Sequence, residues 1–180
     1  MRMWWRRGRW GGALALSVLV AAAPAAAQQF SPPRAKASGK TKIGLYGFGV
    51  RAGIDPKGAG QVVLGTTLDI GNLFSNRVRL RPSVEVGVFN GANTYIASFE
   101  SLWRFTDDEE VATPYLGAGM SIAGHADCGA DPDCPGLWLN AVLGFELRYR
   151  STFNWVVEYH AMDLFRRHRF YIGLTTRRGN

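Results

Sequence analysis

The stretch RVRLRPSVEVGVF, residues 77–89, decides the fold. Val78, Leu80, Pro82, Val84, Val86 and Val88 share one parity, and Arg79, Arg81, Ser83, Glu85 and Gly87 share the other. A period of two describes a strand with one apolar and one polar face. If the Val/Leu face lines a core, the chain is a soluble β protein. If it meets lipid, the arginines and glutamate point into a barrel. Alternation is the same in both cases, so the rest of the chain must separate them.

The chain has 180 residues, enough for one domain. Its first ten residues, MRMWWRRGRW, carry four arginines and no acid. The apolar run GGALALSVLVAAA follows, then Ala25, Ala26 and Ala27. A basic segment, a short apolar core and an A-x-A site read as a secretory signal peptide over 1–27. The apolar run falls short of the roughly 20 residues that a spanning helix needs. Cleavage would lower the net charge from +7 to about +3, because the basic excess is concentrated in the leader. The basic balance is therefore no nucleic-acid footprint. Residues 28–40 hold Pro32, Pro33 and several Ser, Ala and Lys, the composition of a flexible or extended linker.

Beyond the linker, strand-like runs separated by turn signals fall at about 42–52, 61–70, 77–89, 94–105, 113–123, 137–150, 153–160 and 168–176. No amphipathic helix and no second domain interrupts them. The second run opposes Val62, Leu64, Thr66 and Leu68 to Val63, Gly65, Thr67 and Asp69. The fourth to eighth runs alternate in the same way. The first is ambiguous, because Gly44, Gly47 and Gly49 blur its faces.

Four observations place lipid outside. The runs are long enough to cross a bilayer at a tilt, a task for about 9–11 residues. Their polar faces mix small residues with nearly balanced charge: Asp69, Glu85, Glu100, Glu146 and Glu158 against Arg79, Arg81, Arg104 and Arg148. Charges confined inside an eight-stranded barrel must pair, and the planar guanidinium suits carboxylates better than an ammonium does. Lysine is confined to Lys36, Lys40, Lys42 and Lys57, whereas a solvated outer face would use it freely. Finally, aromatics on the apolar parity gather near strand ends. Trp103, Phe105, Tyr149, Phe153 and Trp155 would form one girdle, and Tyr95, Tyr159 and Phe170 the other. The expected fold is an all-β, eight-stranded antiparallel up-and-down transmembrane barrel over 41–178. With the N-terminus periplasmic, GNLFSN, TDDEEVA and RST are periplasmic turns. IDPKGAG, NGAN, GHADCGADPDCPG and AMDLFRR are external loops.

With those features the chain resembles the small eight-stranded outer-membrane β-barrels of the OmpA/OmpX-like group. The resemblance rests on the leader, strand count, alternation and loop asymmetry over 41–178. It implies a monomer in a Gram-negative outer membrane, touching membrane lipid and lipopolysaccharide. Such barrels usually end on an aromatic residue, and this chain ends TTRRGN. Some barrels of this size are lipid A deacylases or acyltransferases that use a serine–histidine–acid set. Here the segment YHAMD, with Glu158 before His160, Asp163 after it and His168 across the hairpin, offers no serine for the histidine to activate.

Cys128 and Cys134, a close pair in an exported chain, are expected to form a disulfide. Asp127, Asp131 and Asp133 around them offer oxygen ligands but lack the closing glutamate of a Ca²⁺ loop, so no metal is expected. Asp107, Asp108, Glu109 and Glu110 read as a solvated turn. Arg166, Arg167 and Arg169 read as rim residues able to meet lipopolysaccharide phosphates. The expected role is structural or surface interaction, with no cofactor and no catalysis. The alternatives are a lipid A-modifying barrel enzyme and a soluble lipocalin-like binder.

Overall fold

The computed structural model describes residues 41–106, 110–130 and 134–176. The expected leader and linker (1–40) lie outside the described residues, as do 107–109, 131–133 and 177–180. The acidic turn and the candidate oxygen ligands Asp131 and Asp133 therefore fall largely outside them.

Alternation is what makes each run a strand, and the strands come in the expected order. They are β1 (Lys42–Lys57), β2 (Val62–Asn72), β3 (Val78–Val88), β4 (Thr94–Arg104), β5 (Ala112–His125), β6 (Gly136–Arg148), β7 (Phe153–Met162) and β8 (Arg167–Thr176). A single 3₁₀ turn, Cys128–Ala130, lies between β5 and β6 among the described residues. Each strand pairs antiparallel with the next, and β8 returns to β1, closing the barrel. The closing seam sets Val50 against Leu174 and Ile54 against Phe170.

Two glycines let this seam close. A Cβ at Gly53 would lie 2.2 Å from the Phe170 carbonyl oxygen, and one at Gly173 would lie 2.3 Å from that of Val50. Neither position has room for a side chain, so the two strands approach as only glycine allows.

In 77–89, Arg79, Arg81, Ser83, Glu85 and Gly87 are buried inside, whereas Val84 is 57% exposed on the outer surface. Leu80 departs from the expected outer face and is buried. It pairs with Gly71, where the β2–β3 register resumes after the shift that follows Thr67. The ambiguous first run also resolves. Gly49, Arg51 and Asp55 are buried, and Phe48, Val50, Ala52 and Ile54 are exposed. β1 runs to Lys57, five residues past its expected end, so most of IDPKGAG is strand rather than loop.

The turns carry unusual backbone. Phe74, Phe89, Asp163, Leu164 and Phe165 all have left-handed φ, between 50° and 77°. For residues with a Cβ this costs roughly 1–2 kcal/mol each.

Candidate functional site: the lumen and the rims

Inward-facing residues two apart on each strand stack into layers along the barrel axis. The central layer is a buried charge network. Glu158 accepts hydrogen bonds from Arg51 (2.6 Å), Arg81 and the Tyr115 hydroxyl, and it lies 3.0 Å from His160 Nε2. Glu85 takes the other arm of Arg51, the Arg169 guanidinium (2.9 Å) and the Tyr171 hydroxyl (2.6 Å). Arg81 also donates to Glu100 through Nε (2.9 Å) and Nη2 (2.7 Å), and Asn140 donates to the other Glu100 oxygen at 3.1 Å. Arg169 reaches Asp55 at 3.2 Å. The guanidinium of Arg51 lies over the Tyr171 ring, 4.6 Å from its centroid. Ions removed from water this completely persist only when paired and hydrogen-bonded, and the forked arginines let each join two carboxylates.

A second cluster lies toward the mouth where β1 begins. Glu146 meets Arg104 (3.3 Å) and Arg79 (4.0 Å) and accepts a bond from Asn154 (3.2 Å). Asp69 lies 3.5 Å from Arg79. Apolar side chains separate the two clusters. On β4, Leu102 lies between Glu100 and Arg104. On β7, Val156 lies between Asn154 and Glu158. Leu102 packs with Tyr115 and Val142. Leu102 and Val156 also border a cavity of about 30 Å³ between the clusters, lined in part by Asp69, Arg79, Arg81, Glu146 and Glu158. That volume suits water-sized occupants. Beyond the central network, Ile96, Ala123 and Met162 pack together with Trp138 against them.

The expected lumen residues separate accordingly. Arg81, Glu85, Glu100 and Glu158 belong to the central network, and Asp69, Arg79, Arg104 and Glu146 to the second cluster. Arg148 differs: it shares the inward parity but is exposed, because β6 ends there at the mouth. Arg51, Asp55, Tyr115 and Tyr171 were not expected in the network, whereas His160 is the interior polar residue beside Glu158 that its place in the seventh run implied. Arg51 and Asp55 share their parity with Gly47, Gly49 and Gly53, the glycines that blur the faces of the first run.

The rim arginines also divide. Arg169, expected at the surface, is fully buried between Asp55 and Glu85, because β8 starts at Arg167 and carries position 169 into the lumen. Arg167 is half-buried and stacks over the Trp138 ring at 4.6 Å. Arg166 is exposed.

At the mouth where β1 begins, Trp103, Phe105, Tyr149, Phe153 and Trp155 stand exposed on the outer wall, with Tyr149 edge-on to Trp155 at 5.8 Å. Tyr46 and Phe48 of β1 join them. Near the other end, Tyr95 and Phe170 are exposed, and Tyr159 is half-buried, 5.1 Å from the Phe170 ring and 2.5 Å from His168 Nδ1. Cys128 and Cys134 form a disulfide in the β5–β6 connection, with Cα atoms 5.2 Å apart. Among the described residues, no group of three or more His, Cys, Asp or Glu is placed to hold a metal ion.

No family model matches the chain, and neither does any curated protein. Solved structures do. The N-terminal β-barrel domain of Pseudomonas aeruginosa OprF aligns with a TM-score of 0.56 at 12% identity, covering 76% of this chain and 98% of that one. A de novo designed transmembrane β-barrel aligns at 0.52 and 16% identity, covering 75% and 96%. Neisserial surface protein A aligns at 0.51 and 11% identity, covering 73% and 94%. The chain thus has the fold of the small eight-stranded outer-membrane barrels.

Proposed function

We propose that the protein is a non-catalytic barrel of a Gram-negative outer membrane, monomeric, with a structural or surface-interaction role. The observation that carries this reading is the inversion of polarity. Leu, Ile, Val, Phe and Trp side chains cover the outer wall, and ion pairs fill the inside. A soluble barrel that binds an apolar ligand needs the reverse, so the lipocalin-like alternative loses its support. An apolar wall this continuous is stable against hydrocarbon. In the proposed orientation, the end bearing the β1–β2, β3–β4, β5–β6 and β7–β8 turns faces outward.

The reading as a non-enzyme is supported by the surroundings of His160. Its ring nitrogens face Glu158 (3.0 Å), Glu100 (3.6 Å) and Arg51 (3.4 Å), an ionic setting rather than the hydroxyl contact that activates a serine. The Tyr159–His168 pair on the outer wall also sets a hydroxyl beside a histidine. Its histidine bonds a phenol.

The test is electrophoresis of the membrane fraction, unboiled against boiled. A detergent-resistant band that shifts on boiling supports a closed membrane barrel, and recovery in the soluble periplasmic fraction without a shift overturns it. Lipid A from cells making the protein, compared by mass spectrometry with lipid A from cells lacking it, is expected to be unchanged. A lost or added acyl chain would favour the enzyme.

A further inference from the structure

The β7–β8 turn, residues 163–166, joins three features. Asp163, Leu164 and Phe165 are consecutive residues with left-handed backbone, φ 50°, 52° and 66°, without a glycine among them. The turn is held by the Arg166 N–H, which donates to the Asp163 carbonyl at 3.1 Å. It presents two large apolar side chains outward, Leu164 at 70% and Phe165 at 65% exposure, followed by the exposed Arg166. The residues after it are engaged: Arg167 on Trp138, His168 with Tyr159, Arg169 in the lumen. The anchored flanks thus hold up a tip of two hydrophobes and one cation.

Water is a poor environment for such a tip, and the backbone strain that displays it is disfavoured for residues with a Cβ. Position supplies the partner. Tyr159 and Phe170, on the outer wall of the same two strands, belong to the aromatic belt at this end, and the tip lies beyond them, past three further residues of each strand. The β3–β4 turn at the same end also displays an apolar side chain, with Phe89 left-handed and 87% exposed. Aromatic and aliphatic side chains beside a cation match the boundary between acyl chains and charged headgroups.

The geometry points to a membrane-surface anchor. Leu164 and Phe165 enter the acyl–headgroup boundary of the leaflet at this end, and Arg166 binds the phosphate of a lipid headgroup there. This inference rests on the membrane-barrel reading and adds the place and chemistry of its lipid contact.

The test uses the full barrel in vesicles, with a Phe165→Trp variant and the unsubstituted protein as the fluorescence baseline. The added tryptophan is expected to emit at short wavelength. It should be quenched several-fold more by phosphatidylglycerol brominated near the headgroup than by acrylamide in the water. Arg166→Gln in the same background is expected to lower retention of phosphatidylglycerol, relative to phosphatidylcholine, by about threefold or more in native mass spectrometry, a step of roughly 0.7 kcal/mol. Water-like emission with full acrylamide access overturns the insertion and leaves the tip to a soluble partner. Equal retention of the two lipids by the arginine and glutamine forms overturns the phosphate contact. The unboiled–boiled band shift is read on each preparation. Its loss in the unsubstituted protein would mean that the barrel reading failed, and its loss in a variant alone would direct the quenching test to Leu164→Trp.

Discussion

Glu158 draws together Arg51, Arg81, Tyr115 and His160, four side chains from four strands. Removing its charge leaves two buried guanidiniums facing a neutral amide. Breaking a buried pair from one side costs about 3–5 kcal/mol, so Glu158→Gln is expected to lower the urea midpoint of the refolded barrel by that equivalent. Arg166→Gln, on the exposed tip, is expected to leave it unchanged. Urea titration of both variants in the same detergent checks the contrast. Parity alone put Glu158, Arg81 and Glu85 indoors. It did not reveal which carboxylate meets which arginine, because that depends on the stagger of non-neighbouring strands across the lumen. Arg169 shows the same limit: its parity was right for the interior, but its depth required knowing that β8 begins at Arg167.

Among the elements, the β1–β8 seam is the most demanding, since it pairs the two strands farthest apart in sequence. Gly173→Val would drive a side chain against the Val50 carbonyl and the Arg51 backbone. The expected outcome is a barrel that fails to close, read as loss of the unboiled band while Gly129→Val, whose added Cβ meets nothing within 4 Å, keeps it. The β5–β6 connection should behave as a separate unit. Reduction of Cys128–Cys134 is expected to expose that loop to protease and leave the boiling shift intact, and a gel with and without reductant after limited proteolysis checks this. Strand number and order were legible because each run alternates for most of its length. The end of β1 was not, because glycines hide its faces and Pro56, Gly58 and Gly60 resemble a longer loop than the chain forms.

At the scale of the whole molecule, the inversion of polarity was also legible, in the near absence of lysine and the arginine–carboxylate balance of the inner faces. The rim was harder to read. A sequence shows three arginines near one turn, and only the fold leaves one exposed on the turn, sets one over an indole and buries one in the interior. The layers inside the barrel have an electrical meaning. An ion entering at the β1 mouth would meet paired charges, then Leu102 and Val142, then a second neutralising lattice, then Met162 against Trp138. The recess between the two clusters, about 30 Å³ in volume, would hold little of its hydration shell. A planar bilayer loaded with the purified barrel is therefore expected to carry no stepwise current under an applied voltage. The protein would behave as a plug of insulation, and the wall that traverses the membrane would leave its capacitance and resistance intact.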